Sequence, residues 1–271
     1  MGNYMKLKMA VVGKDVSKSL SPKMHTFILN KLNVECVYDT VSIDIDKFDL
    51  EFPKILEEYD TLNVTIPYKL SCIPYLNQVL DDAKTFGAVN TICANEKIGY
   101  NTDGMGFMLM LENAGIEVLG KNILVLGSGG VGRSVIKKLI DAKANVFAYD
   151  LNQEGLESVY KEFPEFTPLK DIENKPYDVI INCTGVGMHK TEGISPVGND
   201  LISLSNACVD LIYVPKESEF LRLGRINGKK TVNGEAMLFY QAYYADCYFL
   251  GLKKDAKLAK ELFEEYQKLD N

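Results

Sequence analysis

The stretch NILVLGSGGVGRSVIKKLIDAKANVFAYD, residues 122–150, restricts the fold more than any other part of the 271-residue chain. Apolar residues lead into Gly127-x-Gly129-x-x-Gly132, a helix-like run follows, and a second apolar run, ANVFAYD, stops on Asp150. A strand, a helix and a second strand in immediate succession form a parallel βαβ unit. Gly127 permits a tight turn, Gly129 lets backbone approach a pyrophosphate, and Gly132 brings helix against strand. Ser128, Gly130 and Val131 complete a loop at the start of a helix, where free N–H groups and the dipole favour an anion. In that context the three glycines read as a dinucleotide-binding fingerprint.

Asp150 stands where an acid accepts hydrogen bonds from the adenine-ribose hydroxyls. It would repel a 2′-phosphate by about 1 kcal/mol at about 4 Å, even in water. No basic residue follows until Lys161. The sequence therefore favours NAD, with NADP as the alternative. An N-cap role for Asp150 at the NQEGLESV helix is compatible with ribose binding.

The rest of the chain alternates in the same way. Strands are expected at 5–13, VECVYDTVSI, TLNVTI, YDVIINCT, ACVDLIY and KKTVNG. Helices are expected from Ser21, a candidate N-cap before Pro22, around 46–58, and after Pro67. The tail from Gly234 is helical, and Leu252, Ala256, Ala259, Phe263, Tyr266 and Leu269 mark one buried stripe. The expected fold is α/β, with two α/β domains spanning 1–104 plus 238–271 and 105–237. A net charge of −7 argues against a nucleic-acid partner. No apolar run approaches the ~18 residues of a membrane span. The start lacks a secretory signal and a myristoylation pattern, which points to the cytoplasm. Six scattered cysteines and two distant histidines, His25 and His189, form no metal-ligand pattern and fit reduced thiols. His25 is expected to pack or hydrogen-bond on the first helix. Tyr240, Tyr243 and Tyr244 read as core.

Chemistry-bearing residues cluster at strand ends in the first half. Ser17, Ser19 and Ser21 follow the first strand, and NVTIPYK (63–69) carries Asn63, Thr65 and Lys69. GAVNT contains Asn90, and NTDG contains Asp103. Oxidising a secondary alcohol needs a base for the hydroxyl proton as hydride leaves carbon, and the reverse needs an acid, tasks a positioned lysine can perform. Taken alone, Lys69 reads first as a solvated lysine at a helix start, and Asp103 most simply as an N-cap for the GMGFMLMLENAG helix, a role compatible with the catalytic one.

Taken together and in order, S-L-S-P, N-V-T-I-P-Y-K, G-A-V-N-T, N-T-D-G and G-S-G-G-V-G resemble the shikimate dehydrogenase family. NCTGVGM, DLIY-V-P and N-G-E-A-M-L-F-Y-Q-A extend the resemblance over about residues 9–250. It implies an N-terminal substrate domain and a Rossmann domain with a cleft between them, and hydride transfer between shikimate C3 and a nicotinamide. It also implies a role in aromatic amino acid biosynthesis. Carried over by position, Ser19 and Ser21 would hold the substrate carboxylate, and Thr65, Asn90, Asp103 and Gln241 its hydroxyls. Tyr213 would lie beside substrate and nicotinamide, Gly234 would approach the nicotinamide, and Lys69 with Asp103 would form the catalytic pair.

The chain departs from the family where most members, which use NADP, carry an Asn-Arg-Thr-like stretch. Tyr149-Asp150-Leu151-Asn152 stands there, which looks more like NAD-using quinate/shikimate dehydrogenases. Asn233-Gly234-Glu235-Ala236 replaces the usual D-G-x-G. Ser19 and Ser21 fit the shikimate pattern, so the expected partner is a small molecule, shikimate or 3-dehydroshikimate, acted on by a monomer or homodimer. The rival readings are a quinate/shikimate dehydrogenase of broader specificity and a non-catalytic dinucleotide-binding sensor.

Overall fold

The computed structural model describes residues 6–269. Met5 of the first expected strand, and the start on which the targeting expectations partly rest, lie outside them. The chain divides into two compact units, Met1–Gly106 with Phe239–Asn271, and Phe107–Leu238.

In the first unit β1 (Leu7–Gly13), α1 (Ser21–Lys31), β2 (Cys36–Ser42), α2 (Phe48–Glu58) and β3 (Thr61–Val64) form successive β–α–β steps. β4 (Gln78–Val79), α3 (Asp81–Phe86), β5 (Thr91–Cys93), β6 (Ile98–Tyr100) and the start of α4 (Asp103–Asn113) follow. The sheet order is β2-β1-β3-β5-β6-β4. β5 runs antiparallel to both β3 and β6, while the other pairs are parallel. β1 is central and buried from Met9 onward, the near-continuous apolar reading of a strand covered on both faces. The core gathers Phe48, Phe52, Leu62, Val64 and Tyr68, with Phe48 stacked on Tyr68 at 4.2 Å between ring centroids.

Two local expectations fail. No helix follows Pro67; residues 68–72 form turns and Ile73–Tyr75 a single 3-10 turn. Pro74 explains this, because it has no N–H to bond the Leu70 carbonyl four residues back, so an α-helix cannot run through it. Ser21 is the first helical residue of α1 and not its cap, so its hydroxyl is available elsewhere.

The second unit contains β7 (Asn122–Leu126), α5 (Gly130–Asp141), β8 (Asn145–Tyr149), α6 (Gln153–Glu162), β9 (Thr167–Leu169) and β10 (Val179–Asn182). α7 (Asn199–Ser203), β11 (Ala207–Asp210), α8 (Glu219–Ile226) and β12 (Lys230–Val232) complete it. All strand pairs are parallel, in the order β12-β11-β10-β7-β8-β9. Counted from β7, that is the 3-2-1-4-5-6 order of a Rossmann fold, whose switch point lies between β7 and β10.

α9 (Glu235–Phe249) and α10 (Ala256–Gln267) end the chain. Ala259, Phe263 and Tyr266 of the expected stripe are buried, but Leu252 and Leu269, at 46% and 63% exposed, are not. Both lie outside α10, so neither shares its buried face. Among the described residues no helix is long and apolar enough to cross a membrane.

Candidate active site and dinucleotide site

In the first unit, the polar residues at the ends of β1, β3 and β5 and the start of α4 converge. Tyr68 is buried beneath Phe48 and donates its hydroxyl to the Ile43 carbonyl, which fixes the backbone beside Lys69. The Val89 N–H donates to the Lys69 carbonyl at 2.7 Å and holds the same turn from the other side. From there the Lys69 ammonium donates to Asp103 Oδ2 at 2.6 Å. The two side chains are 16% and 11% exposed, enough for a ligand to reach and too little for water to dominate.

Asp103 stands at the start of α4, but its carboxylate is given to Lys69 and Asn90. The backbone N–H of Asp103 donates to Asn101 Oδ1 at 3.0 Å, which sets the turn. Asn90 Nδ2 lies 2.9 Å from Asp103 Oδ1, 3.1 Å from Thr102 Oγ1 and 3.2 Å from Gln241 Oε1. Its side-chain oxygen Oδ1 accepts from the Thr102 N–H at 3.0 Å. Lys69, Asn90, Thr102, Asp103 and Gln241 are therefore one polar network. Thr65, half-buried, follows β3, and its methyl fills the space beside Gly13, where a Cβ would meet it at 2.6 Å.

Ser19 and Ser21 form the other group. Their hydroxyl oxygens are 3.1 Å apart, and the Ser21 N–H donates to Ser19 Oγ at 3.2 Å. Asn63 lies between the two groups: the Tyr38 phenol donates to its Oδ1 at 2.6 Å, and its Nδ2 reaches the Asn90 carbonyl at 3.4 Å. Sequence reasoning left Asn63, Thr102 and Tyr38 out of the site, although the first two sit inside the motifs that flagged their neighbours.

In the second unit the glycine loop fits a diphosphate. Gly127 has φ of +93°, and a Cβ there would lie 2.9 Å from the Thr184 methyl, so the loop after β7 packs against the loop after β10. A Cβ on Gly132 would sit 2.1 Å from the Gly127 carbonyl oxygen, while Gly129 and Gly130 meet nothing within 4 Å. The open pair precedes and opens α5, a helix of 12 residues, where backbone N–H groups are free to face an anion. Among the described residues no group of acids, cysteines or histidines could hold a metal.

Tyr213, half-buried, follows β11, and burial pushes its phenol up. The Gly234 N–H donates to the Ile212 carbonyl at 3.0 Å. A Cβ on Gly234 would lie 2.1 Å from the Leu211 carbonyl oxygen, so any side chain there would displace the segment carrying Tyr213. Asp210, fully buried, anchors that segment by accepting from Ser218 Oγ, from the Ile212 N–H at 3.0 Å and from Asn182 Nδ2 at 3.0 Å. Burial pushes its carboxyl up to about 6 against those hydrogen bonds. Sequence reasoning read DLIY only as a motif and did not give Asp210 this part.

Asp150 does not serve as expected. Its Oδ2 accepts from the Ser128 N–H at 2.6 Å and Ser128 Oγ at 2.8 Å, and its Oδ1 accepts from the Asn152 N–H at 2.8 Å. Burial works to raise the carboxyl, but the bonds from Ser128 and Asn152 outweigh it and hold it below the ordinary range. The cap of α6 is Asn152, which accepts from the Gly155 N–H at 3.0 Å. Oδ2 thus pins the glycine loop, while Oδ1 holds the turn that leads into α6.

A family model described as the shikimate dehydrogenase substrate binding domain matches residues 11–92. The chain is 34% identical over 262 residues to a protein of Clostridium beijerinckii named shikimate dehydrogenase (NADP(+)), covering 95% of this chain and 97% of that one. It is 36% identical over 273 residues to the protein of the same name from Methanococcus maripaludis, covering 93% and 94%. Among solved structures it matches the chorismate mutase/shikimate 5-dehydrogenase fusion protein of Clostridium acetobutylicum with a TM-score of 0.88 at 32% identity, covering 97% and 98%. It matches the Thermus thermophilus shikimate 5-dehydrogenase in complex with NADP(H) and shikimate with a TM-score of 0.85 at 30% identity, covering 96% and 99%. These names overturn the preference for NAD read from Asp150, whose carboxylate is turned onto Ser128 and Asn152. With such identity along nearly its whole length, the chain belongs to the shikimate dehydrogenase family.

Proposed function

We propose that this chain catalyses the reversible oxidation of shikimate to 3-dehydroshikimate, with NADP as its cofactor and Lys69 and Asp103 as its acid–base pair. The observation that carries the reading is the 2.6 Å contact of Lys69 with Asp103, closed on its far side by Asn90 and Gln241. When bound, NADP+ would supply the acceptor for the C3 hydride, and NADPH the donor in the reverse direction. Lys69 takes the C3 hydroxyl proton as the hydride leaves and gives it back in the reverse direction, while Asp103 aims the amine. Asn90, Thr65 and Gln241 fix the ring hydroxyls, and Ser19 and Ser21 hold the carboxylate. In the second unit the loop Gly127–Gly132 and the start of α5 would hold the diphosphate, and Tyr213 and Gly234 would border the nicotinamide. Six free thiols support a reducing, cytoplasmic setting.

The test is the initial rate of absorbance rise at the reduced-nicotinamide band with shikimate, comparing NADP+ and NAD+ at equal concentrations. Higher kcat/KM with NADP+ is expected. Equal or better turnover with NAD+ would refute the cofactor assignment, and silence with both would refute the activity.

The glycine loop supplies a second test. Gly132→Ala is expected to destabilise the fold, because the new methyl would overlap the Gly127 carbonyl oxygen, and thermal unfolding reads this directly. Gly129→Ala keeps the fold, since its Cβ would enter open space, but weakens NADPH binding in a fluorescence titration. Equal melting temperatures for the two variants would contradict the packing argument.

A further inference from the structure

Asn182, the last residue of β10, is fully buried and stands at the switch point between β10 and β7. Both ends of its amide are committed. Oδ1 accepts from the Thr184 N–H at 3.0 Å and from the Thr184 hydroxyl at 2.6 Å. Nδ2 donates to the Val186 carbonyl and to Asp210 Oδ1, each at 3.0 Å. The Thr184 oxygen in turn accepts from the Val186 N–H at 3.1 Å. Both amide protons, both lone pairs and the threonine proton are thereby placed.

Two loops depend on this side chain. On the Oδ1 side stands Thr184, whose methyl packs against the Gly127 turn that opens the glycine loop. On the Nδ2 side stands Asp210, whose Oδ1 also accepts from the Ile212 N–H at 3.0 Å and so fixes the backbone that enters Tyr213. The same two loops touch a second time, where a Cβ on Gly187 would lie 3.3 Å from Ile212 Cδ1. Ser218 donates to the other Asp210 oxygen, Oδ2, and takes no part in the hydrogen bonds that join the loops. A turn after β10 alone could be made by Asp or Ser as well as Asn. Accepting from Thr184 on one side while donating to a buried carboxylate on the other requires an amide.

We propose that Asn182 is a positioning residue that holds the Tyr213–Gly234 border at a fixed distance from the glycine loop, through Thr184 on one side and Asp210 on the other. The inference rests on the reading of that loop as the diphosphate site and of Tyr213 and Gly234 as the nicotinamide border. A hydride moves only when donor and acceptor carbons lie about 3–3.5 Å apart, so a border that drifts leaves the cofactor bound and its reacting carbon misplaced. Asp150 holds Ser128 of the glycine loop independently of Asn182. Loss of the amide should therefore spare the adenosine end.

Asn182→Ala cuts the link. Its kcat for shikimate oxidation with NADP+ is expected to fall roughly tenfold or more, since a misplacement of about 1 Å costs on the order of 10²-fold. Affinity for 2′,5′-ADP, which lacks the nicotinamide half, should stay within about twofold by calorimetry. Ser218→Ala removes a bond to the same buried carboxylate outside the link, and should lower the melting temperature while leaving kcat within about twofold. Thr184→Val keeps the methyl against Gly127 and removes only the hydroxyl, so it should fold and lose kcat several-fold. No turnover of shikimate by the unsubstituted enzyme would overturn the functional reading and this inference with it. Normal turnover by that enzyme, with unchanged kcat in Asn182→Ala, or in Thr184→Val where Asn182→Ala does not fold, would overturn this inference alone. So would a loss of 2′,5′-ADP affinity in step with kcat, or a fall in kcat in Ser218→Ala as large as that in Asn182→Ala.

Discussion

Lys69→Ala lowers kcat for shikimate oxidation by about 10²–10⁴-fold, the range that a positioned acid–base group contributes. The ammonium is the group nearest Asp103, and it is the only basic side chain in the Asn90–Thr102–Asp103–Gln241 network as described. Asn90, Thr102 and Gln241 donate and accept hydrogen bonds without titrating. NADPH affinity, measured by fluorescence titration, should stay near that of the unsubstituted enzyme, because the glycine loop belongs to the other unit. A primary amine added to the assay should restore part of the rate, which a merely structural lysine would not allow. Removing Lys69 also leaves the Asp103 carboxylate, 11% exposed, without its counter-charge, so some loss of stability accompanies the loss of rate. A variant with kcat within about threefold of the original and no response to amine would remove Lys69 from the acid–base role.

Much of this was readable from the sequence because its determinants are local. The glycine spacing, the strand before it and the helix after it lie within one βαβ unit, so 122–150 declares its fold without tertiary information. Lys69, Asn90 and Asp103 lie at strand ends inside short polar motifs, but their roles came from the resemblance, because alone Lys69 reads as a solvated lysine and Asp103 as an N-cap. Asp150 was misread because a carboxylate's identity does not say which donors it faces. The backbone N–H of Ser128 is brought to it by the glycine turn, and only the folded loop shows that both oxygens are engaged. The antiparallel strand β5 escaped notice because three residues between turns carry no period. The absent helix after Pro67 was a conflict between two nearby prolines and a helical expectation, and Pro74, which lacks the N–H that a helix would need there, decided it. His25 and Asp246, 221 positions apart, share no pattern that a sequence could display.

That long-range pair gives the largest expected effect on stability. Asp246→Ala should destabilise the protein by about 3–5 kcal/mol, because His25 is then left fully buried without its hydrogen-bond partner. Burial raises the Asp246 carboxyl, and the contact with His25 opposes that rise. Deleting either side alone leaves the other uncompensated. Replacing both, His25→Leu with Asp246→Leu, removes two desolvated groups together and should recover most or all of the lost stability in urea unfolding. Failure to recover would mean that the space between α1 and α9 cannot accept apolar side chains of that size.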